Sequence, residues 1–147
     1  MSIQILDNYF SYNQRNFIYN YCRNSRFKIG WHDSDDIEKQ NYQSIHSAFT
    51  YDEYLESGLK EGVDKISKLT AEPVNIVVNL TKPGDVHIPH THHGQVVMLY
   101  YVNLEWQPQW AGETLFYDNE CKEVIRTSVY QPGRIILFDG EIPHTIR

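Results

Sequence analysis

Histidines are concentrated in one short stretch of this chain. Four of the seven are His87, His90, His92 and His93, and a fifth, His144, lies near the end of the sequence. Imidazole nitrogens are common ligands of transition metals, and sites of this kind often combine ligands from two separate segments of a β-rich domain. The spacing therefore indicates a metal site made of one clustered group and one distant histidine.

The alternation of side chains along an extended segment divides the cluster. Residues two apart point to the same face, so His90 and His92 can approach one ion while His87 and His93 face the other way. His144 is the candidate third ligand, because it follows a β-branched run and a turn and precedes the start of another strand. The alternative is a polar, solvent-exposed loop in which these histidines bind no metal.

The elements that must position these residues differ between the two parts of the chain. In the first part, helical spacing of apolar residues predicts helices at 13–23 and from Asp52 to about Leu69. Aromatic and β-branched runs predict strands at 27–31 and 44–51, with an acidic loop at 33–40 between them. After Pro73 the pattern changes to strands separated by turn residues, at 74–80, 95–104, 113–117, 123–130 and 134–138.

Helices followed by many short strands are typical of an α+β protein with a sandwich or barrel at its core. With 147 residues, the chain is predicted to form one domain, helical at about 1–72 and β-rich at about 73–147. The net charge of −6 makes nucleic acid an unexpected partner, and no apolar run suggests a membrane span. The start lacks the regions of a secretory signal, so a cytoplasmic location is expected. The oligomeric state is not indicated.

Four sequence elements then occur in an order typical of a known enzyme family. They are His90-Thr91-His92, LYYVN at 99–103 followed by Trp106, AGETLF at 111–116, and PGRIILF at 132–138 leading to His144. With these elements, residues 84–147 resemble the prolyl-4-hydroxylase-like branch of the 2-oxoglutarate and Fe(II)-dependent dioxygenases, especially viral and microbial members. His144 follows His92 by 52 positions, which is near the separation in that family.

The resemblance implies a double-stranded β-helix, which is a jelly roll with N-terminal helices packed on its larger sheet. It implies Fe(II) and 2-oxoglutarate as cofactors, ascorbate as a candidate further cofactor, and hydroxylation of a prolyl-like peptide or another small polar substrate with O2. On matching positions, His90 and His144 are the ligand histidines. Tyr101 is a candidate hydrogen-bond donor to the distal carboxylate of 2-oxoglutarate, while Tyr100 is expected to face away into packing.

One departure from the family pattern concerns the ligands. His92 stands where the family has an acidic ligand, so the resemblance leaves two alternatives for this position. Either His92 binds the metal with His90 and His144, or it does not bind and that metal position is open. The neighbouring carboxylates, Asp85, Asp139 and Glu141, are weaker candidates than His92.

A second departure is the basic residue that binds 2-oxoglutarate in the family, which lies about ten positions after the distal histidine. Here the sequence ends at Arg147, so we expect it to be truncated and to lack the last strand. The two departures support an alternative function, a three-histidine metal-binding jelly roll that is either non-catalytic or independent of 2-oxoglutarate.

Overall fold

The computed structural model describes residues 3–31, 44–66 and 72–147. Within these ranges the chain forms three α-helices and nine strands, which make three antiparallel sheets of three strands each. The predicted α+β class is therefore confirmed. The helices are α1 (Tyr12–Arg23), α2 (Tyr51–Glu56) and α3 (Leu59–Ile66). The strands are β1 (Gln4–Leu6), β2 (Lys28–Trp31), β3 (Ser44–Ala48), β4 (Val77–Leu80), β5 (Val96–Tyr100), β6 (Thr114–Tyr117), β7 (Val124–Ser128), β8 (Ile135–Asp139) and β9 (His144–Ile146).

The first sheet has the order β1-β8-β5, the second β2-β3-β4 and the third β7-β6-β9. From β5 onward the chain crosses repeatedly between the first and third sheets. These two sheets pack against each other through their aromatic side chains. The Phe116 and Phe138 rings lie edge to face, with centroids 5.0 Å apart. Both rings are fully buried, and Tyr101 and Ile136 complete this cluster.

Strand β8 is buried on both faces. Ile136 and Phe138 face the third sheet, whereas Ile135 belongs to a second cluster that contains residues of all three helices. A central strand covered on both sides reads as a continuous apolar run, which explains the sequence IILF at 135–138. Gly62 of α3 permits close packing in the second cluster, because a Cβ there would overlap the Phe10 ring.

The helix predicted at 13–23 is confirmed as α1, and Ser11 caps it with Gln14 in a capping box. The sequence predicts one helix from Asp52 to about Leu69, and the part of it that the structure describes ends at Ile66. This prediction is wrong, because the helix is interrupted at Ser57-Gly58, between α2 and α3. Gly58 has a φ of +79°, and the buried Ser57 hydroxyl accepts the Leu59 N–H at 3.2 Å. No helix in the described ranges has the length and apolar character needed to cross a membrane.

The predicted strands are present but mostly shorter than expected. The strand predicted at 44–51 ends at Ala48, because Thr50 caps α2. Strand β1 was not predicted, and it pairs with β8 in the register Leu6 to Ile135. The acidic loop predicted at 33–40 and the helical positions 67–69 lie outside the described residues.

Ala111 has a backbone conformation that is unfavourable for any residue with a Cβ. Its φ is 54° and its ψ is −146°, a region occupied almost only by glycine. Ala111 therefore carries backbone strain that a glycine at this position would avoid. The neighbouring Gly112 also has a positive φ, and it lies against the Tyr130 ring.

We therefore expect Ala111→Gly to stabilise the fold. The free energy gained by relief of this strain is larger than the cost of the conformational entropy that glycine adds to the unfolded chain. The free energy of unfolding should therefore rise by about 1 kcal/mol. Urea denaturation measures the change. The control is Ala48→Gly in β3, where the backbone is ordinary and the same substitution should destabilise by about 0.5–1 kcal/mol. Equal destabilisation by both substitutions would contradict the assignment of strain to Ala111.

A second local feature ties the N-terminal strand to the body of the protein. The Arg134 side chain is only 12% exposed and donates from Nε and Nη2 to the two carboxylate oxygens of Asp7, at 2.7 and 2.9 Å. It also donates to the Val129 carbonyl at 3.0 Å. The hydrogen bonds from Arg134, with its positive charge, hold the pKa of Asp7 below its ordinary value of 3.8.

A group with a lowered folded-state pKa adds stability above its unfolded pKa and loses it as the pH falls through the folded value. We expect Asp7→Asn to cost about 1 kcal/mol at pH 7, because Asp7 is partly exposed to solvent. The loss of stability relative to the wild type should become smaller as the pH falls below 3.8, the ordinary pKa of the Asp7 carboxyl. Urea denaturation at several pH values measures it, with Asp64→Asn, in an exposed helical ion pair, as control. A deficit independent of pH would refute the role of this carboxylate.

Candidate metal centre

The backbones of His90 and His144 are paired across two distant parts of the chain. The His90 N–H donates to the His144 carbonyl at 3.1 Å, and the His144 N–H donates to the His90 carbonyl at 3.0 Å. Two residues that exchange both bonds lie directly opposite each other, so their side chains project to the same side. The His92 N–H donates to the Gly140 carbonyl at 2.8 Å, which keeps the segment extended beyond this bridge.

The side chains of His90, His92 and His144 converge. Their ring centroids are 4.9 Å apart for His90 and His92, 4.5 Å for His90 and His144, and 5.3 Å for His92 and His144. One nitrogen from each ring lies within 4.8 Å of the other two. Ligand nitrogens around a tetrahedral ion are separated by about 3.3 Å, so small side-chain rotations suffice to close the group. These three histidines can therefore hold a metal ion.

Backbone carbonyls orient two of the rings. His90 Nδ1 lies 3.0 Å from the Ile88 carbonyl oxygen, and His144 Nδ1 lies 2.9 Å from the Ile142 carbonyl oxygen. A carbonyl can only accept, so Nδ1 is the donor in both rings and Nε2 is the ring nitrogen left for a metal. Metal-binding histidines commonly use this arrangement, which fixes the tautomer and aims the ligand atom.

His144 is the most rigidly held member of the group. It is 3% exposed, and the Phe138 ring packs edge to face on it with centroids 4.7 Å apart. Phe116 lies opposite His144 in the β6–β9 pairing and approaches from the same interior. His90 and His92 are only half-buried, so an ion at this site would be reached from their side.

The other two histidines of the cluster are not part of the group. His93 is 81% exposed and pairs with Glu141, whereas His87 is half-buried. In the described part of the chain the metal-binding group contains only histidines. Of the alternative carboxylates, Asp85 accepts from the Lys82 backbone N–H, which lowers its pKa, and neither it nor Asp139 or Glu141 joins the group.

Tyr101 has its hydroxyl in a buried polar group. The hydroxyl donates to the Ser128 carbonyl at 3.2 Å and lies 2.7 Å from the Thr114 hydroxyl, which then donates to it. Burial raises the pKa of Tyr101, and its ring stacks on Tyr130 with centroids 4.3 Å apart. Tyr100 packs in the other cluster, against Phe10, as its alternation with Tyr101 predicts.

Sequence reasoning did not single out the contacts of Thr114, Ser128 and Glu141. Thr114 belongs to the AGETLF element, whose resemblance to the family could have indicated it. Ser128 acts through its backbone carbonyl, which no residue type signals. Glu141 was considered only as a ligand, although its carboxylate contacts His93 and the Gly94 N–H.

A scan against protein-family models found no match for this chain, and a search of the curated proteins found none either. The geometry of the three histidines and the sequence elements between them are therefore the features that indicate a function.

The group makes a direct prediction for metal binding. We expect the protein to bind one equivalent of Co(II) or Zn(II), and substitution of His90, His92 or His144 by Ala to weaken binding on the order of 100-fold. Titration against a chromophoric chelator measures the affinity. His87→Ala is the matched control, because it removes a histidine of the same cluster that lies outside the group. Equal affinities of the control and the three variants would contradict the site.

Proposed function

We propose that this protein is a non-haem iron oxygenase that depends on 2-oxoglutarate and resembles the prolyl-4-hydroxylases. The single observation that carries the proposal is the three-histidine group formed where the His90 and His144 backbones pair. Imidazole ligands suit iron, and three ligands on one side of an ion leave positions for a co-substrate and dioxygen. The sequence elements at 99–103, 111–116 and 132–138 lie between His92 and His144 along the chain, in the order that the resemblance requires.

The proposed fold is a double-stranded β-helix. Its support is the path of the chain, in which β5 and β8 lie in one sheet and β6, β7 and β9 lie in another. The two sheets share one buried aromatic cluster, as the two layers of a jelly roll do. The helices pack on the outer side of the first sheet through Ile135.

Bound Fe(II) would supply the one-electron and dioxygen chemistry of the reaction, coupled to the oxidative decarboxylation of 2-oxoglutarate to succinate. The chain's part is to hold and orient. His90 and His144 present Nε2 because their Nδ1 protons are committed to backbone carbonyls. Phe116 and Phe138 exclude water from the buried side of His144.

Tyr101 is proposed to bind the distal carboxylate of the co-substrate. Its hydroxyl contacts Thr114, which lies two positions before Phe116, the residue opposite His144. Two residues along a strand span about 7 Å, which is comparable to the length of a five-carbon dicarboxylate. In this role the Tyr101 hydroxyl would exchange its bond with the Ser128 carbonyl for a stronger bond to an anion.

The substrate class that we propose is a prolyl-like peptide or another small polar molecule, and ascorbate is proposed as a further cofactor. The half-buried side of His90 and His92 supports access of such a substrate from solvent. The second candidate is a three-histidine protein that is non-catalytic or independent of 2-oxoglutarate. Two observations support it: the group contains only histidines in the described residues, and the Tyr101 hydroxyl already has hydrogen-bond partners within the protein.

The two candidates differ in their response to 2-oxoglutarate. We expect the Fe(II)-loaded protein to bind 2-oxoglutarate without oxygen, seen as a visible charge-transfer band, and to release succinate when oxygen is admitted. Tyr101→Phe should weaken 2-oxoglutarate binding about tenfold, because it removes one hydrogen bond to a charged group. His92→Asp should increase succinate release if the remaining machinery is that of the family.

The control is His144→Ala treated identically, which sets the background of uncatalysed decarboxylation. Metal binding by the wild type with no 2-oxoglutarate binding, in either the wild type or His92→Asp, would favour the second candidate. Normal 2-oxoglutarate affinity in Tyr101→Phe would remove Tyr101 from the proposed site and leave the activity in place.

A further inference from the structure

Glu141 connects the two segments that carry the three histidines. It lies in the turn between β8 and β9, and its Oε1 accepts the Gly94 N–H at 2.8 Å. Its Oε2 lies 2.8 Å from His93 Nδ1. One carboxylate therefore contacts two consecutive residues of a segment almost fifty positions earlier in the sequence.

These contacts reach the position between two of the ligands. The other nitrogen of His93, Nε2, lies 3.3 Å from the Thr91 hydroxyl. Thr91 separates His90 from His92, so the chain of contacts from Glu141 through His93 ends on the outer face of the ligand segment. The three histidines of the metal group lie on the other face.

The backbones of the two segments are already in close contact at this point. The His92 N–H donates to the Gly140 carbonyl, and the Gly140 N–H donates to the Gln95 carbonyl, both at 2.8 Å. A Cβ at Gly140 would overlap the His92 carbonyl oxygen. Glu141 adds two side-chain contacts beside this junction, and Asp139 Oδ1 holds the Glu141 N–H at 3.1 Å.

The exposure of Glu141 limits how much its contacts add to the stability of the fold. The side chain is 55% exposed, and ion pairs in such surroundings contribute little to the free energy of unfolding. The Gly94 N–H and His93 nevertheless lower the pKa of Glu141, so its carboxylate is ionised at neutral pH. Its contacts can fix a geometry without adding much stability.

We propose that Glu141 is a positioning residue of the metal site, which sets the separation of His92 from His144 by holding the turn at 93–94 against the turn at 139–142. The inference rests on the proposed metal-binding function. Glu141 acts through His93 and the Gly94 backbone and does not touch the ion. Outer contacts of this kind typically change metal affinity by about 10- to 100-fold when they are removed.

The test compares Glu141→Ala and Glu141→Gln with a matched control. Glutamine keeps both contacts, since its amide oxygen accepts from Gly94 and its amide nitrogen donates to His93, but it lacks the charge. Glu61→Ala is the control, because Glu61 is 61% exposed and pairs with Lys65 on α3. The probe is Co(II), with the dissociation constant measured by competition with a chelator and the ligand geometry read from the visible spectrum.

We expect Glu141→Ala to raise the Co(II) dissociation constant about tenfold and to alter the visible spectrum. Glu141→Gln should remain within about threefold of the wild type, and Glu61→Ala should leave both measurements unchanged. Urea denaturation of the metal-free proteins should give similar midpoints for Glu141→Ala and Glu61→Ala. A merely structural role would not change the affinity and the spectrum without a matching loss of stability.

Wild-type affinity and spectrum in Glu141→Ala would overturn the inference and leave the metal site intact. Equal weakening by Gln and Ala would also overturn it, because the effect would then come from charge and not from positioning. Wild-type protein that binds no Co(II) would instead overturn the metal site itself, so the two failures are distinguishable.

Discussion

The reciprocal hydrogen bonds between the His90 and His144 backbones are the constraint on which the site depends. They place two ligand side chains opposite each other, and side-chain alternation then places His92 beside them. The same pairing continues inward, because His144 lies opposite Phe116 and Phe116 packs on Phe138. The ligand group is therefore the outer end of a row of residues that begins in the buried aromatic cluster.

This arrangement divides the site into a rigid and an adjustable part. His144 is fixed by its strand, by a carbonyl acceptor and by the Phe138 ring. His90 and His92 lie on a segment that is held by the bridge to His144, by backbone bonds and by the Glu141 contacts to His93 and Gly94. Because the ligand nitrogens must approach each other to bind an ion, the adjustable part is the one expected to move, and contacts on its outer face determine how far.

The residues of the candidate site were predictable where the signal is local or carried by a motif. Alternation along an extended segment selected His90 and His92, and the position of His144 after a β-branched run and a turn selected it as the third ligand. Strand β1 was not predictable, because three residues become a strand only through pairing with β8, about 130 positions later. The break at Ser57-Gly58 was missed because the apolar spacing continues across it, and the role of Glu141 depends on a contact between distant turns.

A histidine at position 92, where the resemblance would place a carboxylate, has an electrostatic consequence for any anion at a metal held by the three histidines. A neutral imidazole leaves one more unit of positive charge at the ion, and one unit at 4 Å contributes about 4 kcal/mol at an effective dielectric constant of 20. Under the proposed function, an anionic co-substrate would therefore be held more strongly at its metal-binding end. Its distal end would meet neutral groups, the hydroxyls of Tyr101 and Thr114, because the nearby guanidinium of Arg134 is paired with Asp7. Under the proposed function, a site charged in this way would select a co-substrate by its chelating end more than by its length, and His92 would be the residue that sets this preference.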